Sequence, residues 1–414
     1  MCYDYMYMYF LCIKSVTSIN TRLELPPDIH HRGYDHLRAA SQQRMLSVLG
    51  PLLLVHVLCS GRPAVMGRSS APPSLSTVDA SVDATKERAS SSTPFTEREL
   101  DSAVRSLELA GGGSSSVDLA AYRELLRTAA HTSHKDWPRT EAAAQALASI
   151  LGTPDSAASF RQTFGRVLSD GNWEGAASAA VDRETRPWIV LVTGVNGIRK
   201  TSSVHQPWFQ RVLAQALGDS YTGSLGELPD GGNSFFRQLD YMIATVACDD
   251  FRSLYALDDV TTYANFKDGI FSRYRKVAET LGVLLIRAAE SKGMNVMVET
   301  SGRDVAMYEY IDYLFPGTSY NKLVVHFTID EISFAETSVE KRMLGEMSRG
   351  KAALGADTAA LIGANAGGPY GPAVLRRIEA ESNAVWEQIN RGEETKAGKQ
   401  AGKGWLKVNP PPPP

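Results

Sequence analysis

The part of this sequence best suited to chemistry is a glycine-rich turn closed by Lys-Thr. Gly194-Val195-Asn196-Gly197-Ile198-Arg199-Lys200-Thr201 comes straight after the apolar run Trp188–Thr193. Such a turn lets consecutive backbone N–H groups converge on an anion, and a helix starting at its end adds a positive dipole end. In the phosphate-binding pattern G-x-x-x-x-G-K-[ST] the lysine meets the β- and γ-phosphates and the next hydroxyl ligates magnesium. The spacing therefore predicts that Gly194, Asn196, Gly197, Arg199 and Ser202 border a bound polyphosphate. Lys200 would supply the point charge and Thr201 the metal ligand. Arg199 departs from the pattern, standing where it has glycine, and Gly197 lies two residues early as a partial substitute. Pro207 falls early in the following helix, which predicts a short first turn and a second helix from Pro207-Trp208.

Other charged residues are spaced to serve the same chemistry. Asn295-Val-Met-Val-Glu299 reads as a short strand ending in an acid. A carboxylate at a strand's carboxyl end is placed to hold a metal-bound water or a substrate hydroxyl; the bland alternative is an acid capping the next turn. Arg303 follows, next to Asp304, with a surface ion pair as its alternative. Lys341, Arg342 and Arg349 sit on a helix expected over 332–349, where a solvated face is the alternative. Phosphoryl transfer needs positioning and charge neutralisation more than covalent help, and Lys200, Arg303, Arg342 and one Mg²⁺ would supply that charge. Phe235-Phe236 and the tyrosines 308, 310 and 313 read as core packing, and His326 as a core or sheet-edge histidine. His205 lies near Lys200 without an evident task, and His131 and His134 share a face with no third metal ligand nearby. The cysteines Cys2, Cys12, Cys59 and Cys248 form no CxxC pair, and Cys248 reads as a small buried hydrophobe.

The elements that must position these groups follow from hydrophobic periodicity. With 414 residues, 43% hydrophobic and 21% charged, the chain has room for an α/β domain and a smaller helical one. A net charge of -3 gives no field for nucleic acid, so any basic site must be local. Residues 1–94 show no sustained period and read as a leader, disordered or targeting. Within it, Leu46–Leu58 after Met45 has the layout of a signal or organelle-targeting segment; otherwise the chain reads as cytoplasmic, with no mature transmembrane helix. Thr96 and Glu99 form a capping box, opening a small all-α region over 95–185 with helices near 117–130 and 140–151. From 186 to 395 buried-type strands at 188–193, 295–299 and 322–329 alternate with helices. One helix carries Phe235, Phe236, Leu239, Met242 and Ile243, and another runs from Val277 to Ala288. That alternation predicts a three-layer α/β fold of P-loop NTPase type, a parallel sheet flanked by helices, although only three of its strands can be placed. Gly363–Gly371 is a glycine-rich segment, and 396–414 reads as a solvated, disordered tail.

Gly194-x-Asn-Gly-x-x-Lys-Thr, Val-Met-Val-Glu299-Thr-Ser301-Gly-Arg303, and the later Val-Val-His-Phe-Thr-Ile run leading to Glu340-Lys-Arg342 together resemble small-molecule P-loop kinases. The nearest type is the zeta toxin and chloramphenicol phosphotransferase group, over roughly residues 186–350. The resemblance implies ATP and Mg²⁺ as cofactors, with Glu299, Ser301 and Arg303 on substrate- and phosphate-contacting positions. Arg342 and Arg349 would be lid arginines closing over ATP. That group's acidic base lies on a strand soon after the P-loop helix; Asp240, here in a helical pattern, is its nearest counterpart. The expected function is transfer of the ATP γ-phosphate to a small-molecule hydroxyl, on a sugar or nucleotide sugar. The alternative is a non-catalytic nucleotide-binding regulator, a pseudokinase.

Overall fold

The computed structural model describes residues 93–410 except 114–116, 132–134, 369–370, 395–397 and 399. The expected leader with its segment after Met45, three of the four cysteines, and His134 lie outside the described residues. The described residues belong to one compact unit, Pro73–Pro414. No helix among them is long and apolar enough to cross a membrane.

Helices come first: α1 Glu97–Ala110, α2 Leu119–Ala129, α3 Trp137–Leu151, α4 Ala158–Thr163, α5 Gly165–Asp170 and α6 Trp173–Val181. The capping box forms at α1, where Thr96 N donates to Glu99 Oε2 at 2.7 Å and Glu99 N to Thr96 Oγ1 at 3.3 Å. Two otherwise orphaned helix donors are thereby satisfied. Strands and helices then alternate: β1 Trp188–Thr193, α7 Lys200–Val204, α8 Phe209–Leu217, β2 Ser234–Arg237, α9 Leu239–Val246, α10 Cys248–Tyr255 and α11 Val260–Ser291. The remaining elements are β3 Asn295–Glu299, α12 Ala306–Leu314, β4 Asn321–His326, α13 Ile332–Ala353, α14 Thr358–Gly363, α15 Pro372–Asn390 and β5 Leu406–Val408.

The fold is α/β, a five-stranded sheet of order β2-β3-β1-β4-β5 with every pair parallel. β1 is buried along its whole length, as a central strand covered on both faces must be. Side chains alternate between the faces. Trp188, Val190 and Val192 pack with Phe209 and Leu213 of α8, Val339 of α13 and Leu375 of α15. Ile189 and Leu191 pack with Leu281 and Leu285 of α11 and Ile311 of α12.

Two strands correct the sequence expectation. Phe235 and Phe236 belong to β2, not to a helix: they pair with Val296 and Met297 of β3, and the helix begins only at Leu239. Their spacing to Leu239 and Met242 satisfies a helical period, but pairing to β3 outweighs it. The tail expected to be solvated supplies β5, with Leu323, Val324 and Val325 of β4 opposite Leu406, Lys407 and Val408. The 277–288 helix is part of the 32-residue α11, in which twenty residues are buried. So extensive a burial means that α11 is wrapped, with the sheet on one side and the N-terminal helices on another. Leu100, Leu107, Tyr122 and Leu147 of 95–185 share one core with Ile189 and Leu191 of the sheet. The helices of that region are thus a further layer on the sheet.

The connection leaving β1 runs through α8 on one face toward β2, whereas the connection leaving β3 runs through α12 on the opposite face toward β4. Chains that diverge to opposite faces open a crevice at the carboxyl ends of β1 and β3, the switch point where open α/β sheets bind ligands.

Candidate functional site

The turn leaving β1 passes through unusual backbone conformations. Gly194 has φ 128°, and a Cβ there would stand 2.4 Å from the Phe327 carbonyl oxygen. Gly197 has φ 93°, with a built Cβ 2.7 Å from the Ala335 oxygen. Arg199 is left-handed, at φ 63° and ψ 28°. The geometry that glycine suits at this position is kept, and the turn accommodates a Cβ. The Arg199 guanidinium lies 5.2 Å over the Phe334 ring. Residues 195–199 donate no backbone hydrogen bond to any described residue. Successive N–H groups without a protein partner, in a turn with left-handed steps, are the backbone arrangement from which anion-binding concavities are built.

Lys200, 3% exposed, is folded back on this turn. Its Nζ donates to Gly194 O at 2.8 Å and Val195 O at 3.0 Å, and stands 3.2 Å from Glu299 Oε1. Burial pushes the ammonium below its ordinary pKa, and Glu299 opposes the shift. Thr201 Oγ1 donates to the other Glu299 oxygen at 2.7 Å. One carboxylate at the end of β3 thus ties down both residues that close the turn. α7 ends after five residues, and the next helix starts at Phe209, two residues beyond Pro207.

A cleft of about 810 Å³ opens at the carboxyl ends of the strands. It gathers Asn196, Gly197, Thr201, Asp240, Glu299, Ser301, Arg303, Arg342 and Arg349 from the sequence candidates. Gly194, Lys200, Arg199 and Ser202 are not on its wall; Lys200 lies behind Glu299, and Arg199 faces Phe334. Arg303 and Arg342 are exposed and form no ion pair among the described residues. Asp304 pairs with Lys135 rather than with Arg303. Five arginines and one lysine line the cleft against three acids, a local positive excess in a chain of net charge -3.

Asp240 lies in the first turn of α9, three residues after the end of β2, so it is at a strand's carboxyl end after all. Burial, then the Glu299 charge, raise its carboxyl above the ordinary aspartate value against the pull of Lys267 and Arg342. It is close to Arg342: a Cβ on Gly367 would stand 3.1 Å from Asp240 Oδ2 and 3.3 Å from Arg342 Nη1. The glycine-rich 363–368 segment, without a role in the sequence, forms this wall. Asn365 Nδ2 donates to Asp240 O at 3.0 Å, and Ala366 N to the buried Glu346 at 2.7 Å. Glu346 also pairs with Lys267 of α11 at 2.5 Å, which ties the loop and α13 to that helix.

Sequence reasoning missed Arg237, Arg275 and Trp137, which also line the cleft. Arg237 was legible only as part of a supposed helix, and Arg275 as one charge among several on α11. Among the residues expected to pack, His326, Tyr308 and Tyr310 do so, whereas Tyr313 is 40% exposed and its hydroxyl donates to Glu141 at 2.9 Å. His326 is 1% exposed and stacks on Trp386 at 4.9 Å. Thr193 Oγ1 is 2.9 Å from its Nδ1 and Asn383 Oδ1 is 3.2 Å from its Nε2. Burial pushes its pKa down to about 4, so it is neutral near pH 7. Tyr308 and Tyr310 are core residues, and His205 lies against Gly231, off the cleft wall. In comparisons with known proteins the chain matches no family model, no curated protein and no solved structure.

Proposed function

We propose that this chain is an ATP-binding phosphotransferase of P-loop type, moving the γ-phosphate of ATP to a hydroxyl of a small molecule. The observation that carries the reading is the run of five unpartnered N–H groups at 195–199, ending at Lys200 and Thr201 and opening on a cleft with excess arginine. A polyphosphate fits such a turn through backbone donors and a point charge. The helix after the turn is only five residues long, so the free N–H groups carry more of the argument than a helix dipole. Thr201 Oγ1 and Glu299 Oε2 are adjacent hard oxygens, the donor type that Mg²⁺ takes, and the ion would neutralise phosphate charge. The resemblance to the zeta toxin and chloramphenicol phosphotransferase group belongs to the same proposal.

In this reading Lys200 exchanges its carbonyl contacts for phosphate oxygens, and Arg342 and Arg349 of α13 neutralise the transferring group. Arg303 contacts the acceptor or its phosphate. The acceptor oxygen forms a bond to the γ-phosphorus as the bond to the ADP oxygen breaks, and the hydroxyl proton passes to Asp240. Positive groups placed in advance around developing charge are the main catalytic resource for this chemistry.

The test is melting temperature and ADP release for the full chain with Mg·ATP and a panel of hydroxyl-bearing metabolites. Mg·ATP should raise the melting temperature, and one acceptor class should elicit ADP release. Lys200→Ala should lower turnover by about 10²–10³-fold while the circular dichroism spectrum is kept. Turnover that survives Lys200→Ala would sink the reading. The second reading is a non-catalytic nucleotide-binding regulator, favoured by one observation: Lys200 and Thr201 are already engaged by Glu299. It predicts the thermal shift without ADP release for any acceptor; no thermal shift rejects both.

A further inference from the structure

Part of the cleft wall is built around two arginines that the phosphate chemistry above does not use. Arg237, at the end of β2, is 2% exposed, and its Nη1 is 2.7 Å from Glu279 Oε2 on α11. Arg275, one turn earlier on α11 and 40% exposed, reaches the other oxygen of Glu279 at 3.4 Å. Both line the cleft. The Nε of each is shielded from solvent and has no hydrogen-bond partner among the described residues. Two guanidinium groups leaning on one carboxylate leave a positive excess, and a buried unsatisfied donor is a cost that a fold rarely carries without use.

Helix α11 makes room for this arrangement. A Cβ on Gly282 would stand 2.7 Å from Arg237 Nη1, so the glycine lets the guanidinium lie against the helix. Glycine inside a helix is destabilising, and an apolar pair would fill the same space without desolvating charge. The buried Tyr310 ring lies 5.5 Å from the Arg237 guanidinium and 5.0 Å from the ring of Trp137, which is itself on the cleft wall. Core stability alone explains neither the doubled charge nor the unmet donors.

We propose that this part of the cleft binds an oxyanion carried by the acceptor, a phosphoryl or carboxylate group separate from the phosphates at the Gly194–Thr201 turn. Arg275 grips it from the cleft side and Arg237 supplies charge behind it. The assignment of that anion to the acceptor rests on the phosphotransferase reading; the oxyanion site itself does not. The acceptor class is then a small molecule with an anionic group at one end and a hydroxyl near Asp240 at the other.

The test is calorimetric titration of the full chain with inorganic phosphate, and in parallel with acetate. With Mg·AMP-PNP present to occupy the turn, phosphate should still bind, and Arg275→Gln should weaken it at least about tenfold. Arg275 is partly exposed, so this variant should melt near the parent temperature. Gly282→Ala, which displaces Arg237, should weaken phosphate in the same direction. Lys200→Ala without nucleotide should keep phosphate binding, because this site does not use that lysine. The inference is overturned if Arg275→Gln leaves phosphate affinity unchanged, or if Lys200→Ala abolishes it. Acetate binding tighter than phosphate keeps the site and makes the group a carboxylate. Arg275-dependent phosphate binding with no AMP-PNP binding rejects the phosphotransferase reading alone; the converse rejects only the oxyanion site.

Discussion

Arg199 puts a long side chain in the left-handed region, where a Cβ costs ~1–2 kcal/mol, while a partly exposed cation–π contact with Phe334 returns ~0.5–1 kcal/mol. Substitution separates the two contributions. Arg199→Gly and Arg199→Ala both lose the guanidinium, so their difference reports the backbone. Allowing for the greater freedom of glycine in the unfolded chain, Arg199→Gly should be more stable than Arg199→Ala by about 0.5–1 kcal/mol in urea denaturation. Equal stability would mean that the turn relaxes out of the left-handed region. Asp240 gives a second prediction at this scale. Its carboxyl is raised above the ordinary value of 3.8, and a base must be ionised to accept a proton. Activity should therefore rise with pH through that raised value, placing the acid limb of kcat/KM above the usual aspartate range. Asp240→Asn should remove the limb along with most of the rate. A limb that persists in Asp240→Asn would assign the proton to another group.

At the scale of elements, β5 is the part whose role is least expected from its composition. Three residues pair with β4, and Trp405 just before them is 6% exposed, packed on Tyr308 at 5.3 Å with its Nε1 donating to Asp312 at 3.0 Å. Truncating a buried tryptophan removes its apolar burial and leaves a cavity, so Trp405→Ala should cost about 3–5 kcal/mol by chemical denaturation. A loss below ~1 kcal/mol would mean that this stretch contributes little to the fold, as a solvated tail would. The element that most directly shapes the site is β2. It pairs beside β3 and brings Arg237 and then Asp240 to the carboxyl edge of the sheet, which a helix over the same residues would not do.

Across the whole molecule the helical region and the sheet share a hydrophobic core, and charged locks reinforce the join. Arg273 of α11 grips the Glu99 carboxylate with its Nε at 2.9 Å and a terminal nitrogen at 3.0 Å. Its guanidinium also lies 4.1 Å over Phe95 at the entry to α1. Elements that bury the same surface unfold together. Calorimetry on the chain should therefore show one endotherm for this unit, with calorimetric and van't Hoff enthalpies equal. A separate transition abolished by Leu107→Ala while the sheet stayed folded would show that 95–185 folds independently. The shared core also brings Lys135 and Trp137, at the start of α3, to the cleft wall, so the helical layer contributes directly to the site.

The sequence by itself determined the local features. The Thr96–Glu99 box, the apolar β-branched run of β1, the strand ending at Glu299 and the glycine spacing of the Gly194–Thr201 turn are each written in residues a few positions apart. Local sterics and hydrogen bonding act at that range, so their signals survive in one dimension. Tertiary structure alone decided what depends on distant partners. Phe235-Phe236 satisfies a helical period but becomes strand because β3 supplies its ladder, and β5 is too short to declare itself without β4. Glu299 is specified as an acid in the sequence, but its grip on Lys200 and Thr201 exists only because β1 and β3 lie side by side. Arg237 meets the Glu279–Arg275 pair of α11 only when β2 packs on that helix, where Gly282 leaves space for the guanidinium. Charge pairing and burial operate through space, so a sequence fixes which groups are available and the fold fixes which of them meet.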